Sequence, residues 1–321
     1  MSTEIKDIAR VYGEALVELG RLNPKVVIVE ADLADSCQSH LFREHFPERA
    51  IEVGVAEATA ISVGAGLAFS GKIPFVNTFA VFASSRVFDQ VRYTVAYGRA
   101  NVKIVGSAAG LSLGYAGASH HAIEDLAMMR ALPNMTVVSP ADRVETRQMV
   151  LAIAEIEGPV YMRLSRAKKA PIYDEAYHLQ VGKAVVLRSG GDVTLFATGE
   201  MVFEALAAAE MLSEQGIHPE VVNIHTLKPI DVETITASAL KTHAVVTIED
   251  HNILGGLGGA VAEVLGEHAP TPMRRIGLRD TFCESDNTSV LREAYGMGRR
   301  HIVEAALDVM RMGQLNPAAL R

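Results

Sequence analysis

One glutamate lies in a run of small and apolar residues, where a charge is unexpected. Glu57 follows Gly54-Val55-Ala56 and precedes Ala58-Thr59-Ala60, where a strand-and-turn pattern gives way to a helical pattern. An isolated carboxyl in such surroundings has a raised pKa and can share a proton. Its small neighbours let another molecule approach closely. The pattern predicts an acid–base residue that faces an apolar ligand.

Aromatic side chains and a histidine could form the rest of a ligand site. Phe79 and Phe82 follow a predicted strand, and they are either core residues or a flat wall for a planar ligand. His120 ends a loop rich in small residues, 110–119, that follows another predicted strand. Open α/β sheets bind their ligands at such loops, so His120 is a candidate active-site residue.

Three other motifs have simpler interpretations. His121 and Asp125 have an i, i+4 spacing but no apparent third metal ligand, and acidic residues also suit a helix N-terminus. The glycine-rich turn at 255–259 lacks the Gly-x-Gly-x-x-Gly spacing, which favours close helix–strand packing over dinucleotide binding. Arg166 follows a strand end and is either a surface charge or a clamp for a phosphate or carboxylate.

Composition restricts the classes of protein to which this chain can belong. Its 321 residues carry a net charge of −8, with no basic–aromatic interleaving, so nucleic-acid binding is not expected. The sequence has no signal-peptide core and no apolar run of membrane-spanning length. Cys37 and Cys283 lack metal-type spacing and are expected to be free thiols in a reducing cytoplasm.

The elements that must position these residues alternate between helix and strand. Apolar strand patterns occur at 26–29, 74–77, 102–105, 135–138 and 159–164, with helical patterns at 8–22, 56–70, 85–99 and 122–132. After a segment without a clear period, a second alternation follows. We predict two α/β domains, 1–165 and 183–321, joined by a linker at 166–182, each a mostly parallel sheet covered by helices.

Seven short segments, in this order, resemble the thiamine-diphosphate enzymes of the transketolase family. The resemblance covers essentially the whole chain and matches the pyrimidine-binding domain followed by the family's C-terminal domain. The matched segments are 30–36, 54–57, 77–82, 117–121, 132–135, 139–142 and 164–166.

The resemblance implies roles for the candidate residues. Glu57 would hydrogen-bond the aminopyrimidine ring of the cofactor and favour the tautomer that activates the thiazolium carbon. Phe79 and Phe82 would pack on the pyrimidine, with Asp32 also at the cofactor, and His120 would contact the oxygens of the substrate. Three residues, Ser36, Arg166 and Arg10, would hold the sugar-phosphate tail.

Two positions depart from the family pattern near the substrate. The family has an Asp where this chain has Ala116, and a His where it has Ala108. Losing both hydrogen-bonding groups disfavours an ordinary ketose phosphate and suits a smaller or differently substituted sugar. An atypical donor or acceptor, such as a branched or modified sugar phosphate, is therefore expected.

A third departure concerns the diphosphate end of the cofactor. We find no Gly-Asp-Gly followed by Asn about 25–30 residues later, the family's magnesium signature. The resemblance therefore implies that Mg²⁺ and the diphosphate are bound mainly by a separate N-terminal subunit. The expected assembly is a cytoplasmic heterotetramer that is active only when both subunits are present, with no metal ligand in this chain.

Other assignments remain open at this point. The same two-domain unit occurs as the beta subunit of 2-oxo acid dehydrogenases. The string at 86–90 resembles one in deoxyxylulose-phosphate synthase, although that enzyme is normally one long chain. A non-catalytic assembly partner is the alternative of a different class, and the joint presence of Glu57, Phe79, Phe82 and His120 argues against it.

Overall fold

Two sheets organise the part of the chain that the computed structural model describes, residues 7–166 and 168–315. The strands are β1 (Val26–Glu30), β2 (Ala50–Glu52), β3 (Ile73–Phe79), β4 (Lys103–Ser107), β5 (Thr136–Val138), β6 (Val160–Arg163), β7 (Val185–Arg188), β8 (Val193–Ala197), β9 (Pro219–Asn223), β10 (Thr226–Lys228), β11 (Val245–Asn252) and β12 (Met273–Leu278). The first sheet has the order β10-β5-β6-β4-β3-β1-β2, and the second has the order β12-β11-β8-β9-β7. Among these described strands, only the pairs β10–β5 and β7–β9 are antiparallel, which confirms the predicted α/β class with mostly parallel sheets.

Helices cover these sheets. They are α1 (Ile8–Leu22), α2 (Ala34–Cys37), α3 (His40–His45), α4 (Glu57–Phe69), α5 (Phe88–Gln90), α6 (Asp125–Ala131), α7 (Arg143–Glu155), α8 (Met201–Ser213), α9 (Val232–Thr242), α10 (Leu257–His268), α11 (Thr288–Ala294) and α12 (Arg299–Leu315). The first helix begins after Asp7, whose carboxylate accepts a hydrogen bond from the amide of Ala9. Its apolar stripe packs on β1 and β3, in a core that includes Leu16, Ile28 and Phe75.

The helical pattern predicted over 85–99 is helical in the structure, but it does not form one regular α-helix. The structure has π-helical segments at Phe82–Arg86 and Val91–Tyr97, separated by α5. The hydroxyls of Ser84, Ser85 and Thr94 each donate to the carbonyl four residues earlier. Such bonds occupy carbonyls of the helical ladder and distort a helix locally, so the widened turns coincide with these hydroxyl residues.

The linker packs closely on the first domain. Residues 168–182 contain no helix or named strand, but the Asp142 carboxylate accepts hydrogen bonds from the amides of Ile172 and Tyr173. Strand β10 of the second domain then extends the first sheet. The two domains are therefore joined by shared backbone pairing as well as by the linker.

Two further sequence expectations can be compared with the structure. Cys37 and Cys283 are free and buried, as predicted. Among the described residues, none of the helices has the length and apolarity needed to cross a membrane.

Candidate functional site

Glu57 is buried at the start of α4, but it is not isolated. Its side chain is only 4% exposed. The Nη1 atom of Arg86 lies 2.8 Å from its Oε1 atom. The expectation of an unpartnered carboxyl was therefore wrong, because the chain supplies a cation from the π-helical segment after β3. A buried carboxylate with a paired, hydrogen-bonded cation costs much less to desolvate than an isolated one.

One oxygen of this carboxylate is left for a ligand. Among the described residues, the Glu57 side chain has its hydrogen bond from Arg86 through Oε1, and none is made through Oε2. Arg86 is half exposed, and its guanidinium lies 4.1 Å from the ring centroid of Phe82. The i, i+4 spacing of Phe82 and Arg86 was a sequence signal for this stack, and the sequence analysis missed it.

Three rings form a continuous aromatic surface next to this pair. The ring centroids of Phe79 and Phe82 are 6.1 Å apart. The His120 imidazole lies edge-on to both, at 6.2 Å from Phe79 and 5.4 Å from Phe82. Its Nδ1 atom is 2.9 Å from the hydroxyl of Ser119. The structure thus brings together the predicted aromatic wall and the predicted histidine, with Glu57 linked to them through Arg86.

Cys37 and Ala108 pack behind this wall. Both are buried in one small apolar cluster with Phe79. Burial raises the pKa of the Cys37 thiol to about 12, so the thiol stays neutral and behaves as an apolar side chain. Ala108 adopts a φ of 56°, a left-handed conformation that is rare for alanine. The departure from the family pattern therefore lies at a buried, conformationally constrained position beside the wall.

A buried polar cluster supports β1 and β3 below the site. Asn77 donates through Nδ2 to the Glu30 carboxyl at 3.1 Å, and its Oδ1 accepts a hydrogen bond from the Tyr12 hydroxyl. Burial raises the pKa of Glu30 to about 8, so this carboxyl is largely protonated at neutral pH. The cluster fixes the ends of two strands without placing a charge under the aromatic wall.

Asp32 and Ser36 lie in a small cavity beside the aromatic wall. They line a space of about 270 Å³ together with Asp35, Arg43 and Glu52. The Glu52 carboxylate accepts hydrogen bonds from the amides of Asp32 and Gly54, which fixes the loop after β1. Leu33 and Cys37 of the same loop pack against the wall, so the loop connects this cavity to the aromatic surface.

The two predicted phosphate-binding arginines lie in different surroundings. Arg166 lines a cleft of about 830 Å³ at the linker. Arg10 is exposed on α1, pairs with Glu14 at 3.1 Å, and lines neither this cleft nor the Asp32 cavity. Arg166 and Ser36 therefore belong to two cavities, and Arg10 to neither of them.

His121 and Asp125 have partners within the protein. Tyr161 and Arg163 donate to the Asp125 Oδ2 atom, both at 2.8 Å. The His121 Nε2 atom lies 3.2 Å from the carbonyl of Gly114. No group of three His, Cys, Asp or Glu side chains able to hold a metal ion occurs in residues 7–166 and 168–315. Arg163 also donates to the carbonyl of Asp250 in the second domain, so Asp125 holds an arginine that contacts both domains.

At the glycine-rich turn, 255–259, a carboxylate of the protein itself binds the N-terminus of the following helix, α10. The Glu249 carboxylate accepts hydrogen bonds from the amides of Leu257 and Gly258 at 2.6 and 2.8 Å. A Cβ atom on Gly258 would lie 2.8 Å from the side chain of Arg275. Since an internal carboxylate occupies the position that a phosphate would take, the geometry supports close packing, not dinucleotide binding.

Fold and site together define a two-domain α/β protein with a carboxylate–aromatic cluster whose three rings lie at the carboxyl ends of β3 and β4. Family models agree with this architecture. Residues 6–170 match the transketolase pyrimidine binding domain, and residues 182–302 match the transketolase C-terminal domain. The chain therefore belongs to the transketolase family.

Relatives that this chain covers almost end to end are named as a subunit or a section of a transketolase. A 6-deoxy-6-sulfo-D-fructose transketolase subunit of Clostridium sp. (strain MSTE9) is 48% identical over 93% of this chain and 92% of that subunit. A putative transketolase C-terminal section of Methanocaldococcus jannaschii is 44% identical over 97% of this chain and 98% of its own length. A solved split gene transketolase, an inactive beta4 tetramer, has a TM-score of 0.90 and 46% identity, covering 96% of this chain and 99% of that one.

Proposed function

We propose that this chain is the C-terminal subunit of a thiamine-diphosphate-dependent transketolase, which transfers a two-carbon ketol unit between sugar phosphates. One observation carries the proposal. The Glu57 carboxylate is buried, has one oxygen without a hydrogen bond from the described residues, and connects through Arg86 to an aromatic wall. That combination suits a planar heterocycle with a protonatable ring nitrogen.

The residues present fit the pyrimidine half of the cofactor. Thiamine diphosphate supplies the nucleophilic carbon and the electron sink when it is bound. Phe79 and Phe82 offer apolar faces to a planar ring. The Oε2 atom of Glu57 would hold a proton shared with a ring nitrogen, while Arg86 fixes the carboxylate through Oε1. Asp32 would act from the neighbouring cavity.

His120 is the proposed substrate-contacting residue. Its Nδ1 atom faces the Ser119 hydroxyl, which leaves Nε2 to meet an oxygen of the sugar. Its ring is held edge-on against Phe79 and Phe82, so it would bring this nitrogen close to the bound heterocycle. Three residues, Ser36, Arg166 and Arg10, are the proposed contacts for the phosphate tail, Arg166 being the one that lines the large cleft.

A separate N-terminal subunit would complete the active site. This chain lacks the family's Gly-Asp-Gly…Asn signature, and two relatives that it covers almost end to end are named a transketolase subunit and a transketolase C-terminal section. We infer that the partner binds the diphosphate and Mg²⁺, and that two such pairs form a heterotetramer. The name of the solved relative, an inactive beta4 tetramer, agrees with a requirement for a partner. Two free buried thiols are consistent with a cytoplasmic enzyme.

The substrate is proposed to be an atypical sugar phosphate or a similar anionic sugar. Ala108 is buried beside the aromatic wall and offers no hydrogen bond to a hydroxyl. Ala116 lies in the loop that leads to His120, where the family has an Asp. A site without these groups makes no hydrogen bond at these two positions to the hydroxyls of an ordinary ketose phosphate, so it does not favour that substrate. The Clostridium relative is named for a sulfonated sugar.

The alternatives have less support. A beta subunit of a 2-oxo acid dehydrogenase and a deoxyxylulose-phosphate-synthase-like enzyme share this domain pair, but the similar chains of matching length are transketolase subunits or sections. A non-catalytic assembly partner would not require a buried carboxylate beside an aromatic wall. Turnover of 2-oxo acids by the assembled enzyme, without ketol transfer, would favour the first two alternatives.

A conservative substitution tests the proposal. Glu57→Gln keeps the shape of the side chain but cannot share a proton as a carboxyl does. Because acid–base groups contribute roughly 10²–10⁴-fold to rate, kcat of the pair reconstituted with its N-terminal subunit should fall at least about 100-fold. The matched control is Glu267→Gln, at a surface carboxylate that is 78% exposed. Turnover within about threefold of the wild type would remove Glu57 from the assigned role.

A further inference from the structure

The cleft that contains Arg166 has cations on both of its walls. The linker contributes Arg166, Lys168 and Lys169, and the C-terminal domain contributes Arg292, Arg299 and Arg300. Three carboxylates oppose these six cations, those of Glu200, Glu204 and Glu293. The lining thus has a formal excess of positive charge in a chain whose net charge is −8. Such a concentration of one sign in a concave site attracts anions to that site.

One buried carboxylate holds two of these cations together. Lys169 donates to Oε1 of Glu204 at 2.8 Å, and Arg299 donates to Oε2 at 3.2 Å. The Glu204 side chain is largely buried, whereas that of Arg299 is half exposed. A single carboxylate neutralises one of the two cations. The linker and α12 are therefore held together at Glu204, where one positive charge remains in excess.

A third cation, Arg166, is positioned to add to this charge. Arg166 has no ion pair among the described residues. The buried Arg292, by contrast, is bonded through Nη2 to the carboxylates of Glu200 and Asp250, so its charge is offset within the protein. An anion in the cleft would therefore be attracted by Arg166 and by the two cations that share Glu204.

We propose that this cleft is an oxyanion site that receives the phosphate or sulfonate end of the sugar, with Lys169, Arg299 and Arg300 as binding residues supplied by the linker and the C-terminal domain. The inference deepens the proposed function and rests on it for the identity of the ligand. Guanidinium groups suit tetrahedral oxyanions because their planar N–H donors pair with two oxygens at once. The C-terminal domain would then take part directly in substrate binding, at a position beyond Arg166.

Helix α12 offers a matched pair of substitutions. Arg300 lines the cleft, and Arg311 lies further along the same helix. Each side chain is 72% exposed and each lies near one carboxylate, Glu293 or Asp308. Arg300→Gln and Arg311→Gln change the net charge equally and remove similar surface contacts. A difference between them therefore reports the cleft and not the overall charge of the protein.

The first measurement uses inorganic phosphate and the full chain, and it does not depend on catalysis. Isothermal titration should show that Arg300→Gln, and more strongly the double variant with Arg299→Gln, weakens phosphate binding at least threefold. Arg311→Gln should bind phosphate as the wild type does. Equal binding by all variants, or equal weakening by Arg300→Gln and Arg311→Gln, would overturn the site. Circular dichroism and thermal unfolding of each variant confirm that it is folded.

The second measurement identifies the ligand as the substrate. In the reconstituted pair, the cleft variants should raise KM for an anionic sugar at least threefold with kcat unchanged, and added salt should reduce the difference. Weakened phosphate binding with an unchanged KM would overturn the assignment to substrate and make the cleft a site for another anion. Phosphate binding at the cleft without any ketol transfer by the reconstituted pair would refute the proposed function and, with it, the assignment of the ligand as a substrate. The existence of an oxyanion site would not be affected by that result.

Discussion

Glu57 is buried and paired with Arg86, yet one of its two carboxylate oxygens remains available to a ligand. Its carboxylate is closed to solvent, but a half-exposed guanidinium holds only one of its two oxygens. Arg86 in turn lies on the face of Phe82. The same arginine therefore limits the cost of the buried charge and fixes one edge of the aromatic wall. A proton-sharing oxygen at a constrained position is the residue-scale basis of the proposed chemistry.

Glu145 gives the protein a pH-dependent stability. Burial raises the pKa of this carboxyl to about 7 from its ordinary value of 4.5, although it accepts hydrogen bonds from Ala141, Asn223 and Tyr177. Between these values the native state binds more protons than the unfolded state. The free energy of unfolding should therefore decrease as pH rises from about 4.5 to about 7, by about 3 kcal/mol from this group.

Chemical denaturation at a series of pH values measures this effect. The Glu145→Gln variant should show a shallower decrease in unfolding free energy over the same pH range, because the titrating group has been removed. Glu30, whose pKa is also raised by burial, still titrates in the variant. Part of the decrease in unfolding free energy with rising pH therefore remains. Identical slopes for the wild type and the variant would show that Glu145 does not titrate as described.

At the scale of elements, α10 contains two glycines, Gly258 and Gly266, whose surroundings differ. A Cβ atom on Gly258 would lie 2.8 Å from Cδ of Arg275 and 3.0 Å from Oγ1 of Thr247. Gly266 is exposed in the same helix, and nothing lies within 4 Å of an added Cβ. The first glycine permits close packing of the helix on its strands, and the second has no contact that requires it.

Alanine substitutions at these two positions should therefore have opposite signs. Gly258→Ala should lower the free energy of unfolding by about 1–3 kcal/mol, because a methyl group is forced into an occupied space. Gly266→Ala should raise it by about 0.5–1 kcal/mol, since alanine favours the helix interior over glycine. Urea denaturation of the two variants is the measurement. Equal effects at both positions would refute the packing explanation.

Elements with simple periodicity could be predicted, and elements defined by distant contacts could not. The pattern at 8–22 gives α1 with its observed bounds, and the apolar run at 26–29 lies within β1. Strand β10 has only three residues and exists because it pairs with β5 of the other domain. The π-helical segments depend on hydroxyl–carbonyl bonds that a hydrophobic period does not reveal.

The candidate site was predictable to a similar extent. Its residue types were visible in the sequence at Glu57, Phe79, Phe82 and His120, and the fold brings the three rings together. The partner of Glu57 was not predicted, because Arg86 is 29 residues away in the sequence and meets the carboxylate only through the fold. The cations of the C-terminal domain were also missed, since residues about 130 positions apart meet Arg166 only through the tertiary fold.

At the scale of the whole molecule, the second domain supports the candidate-site loop of the first through hydrogen bonds. The Asp250 carboxylate accepts a hydrogen bond from the amide of Leu111, and the hydroxyl of Thr288 donates to the carbonyl of the same residue. Gly110 adopts a φ of +60°, and a Cβ atom there would lie 2.4 Å from the Asp250 carboxylate. The loop that leads to His120 is therefore shaped by contacts from both domains.

We infer that this chain provides only half of a catalytic site. The most direct test compares ketol transfer by the purified chain alone with transfer by the chain mixed with its N-terminal subunit, both with thiamine diphosphate and Mg²⁺. We expect turnover from the mixture and none above background from the chain alone, because nothing in this sequence matches the family's diphosphate and magnesium signature. Turnover by the isolated chain would contradict it.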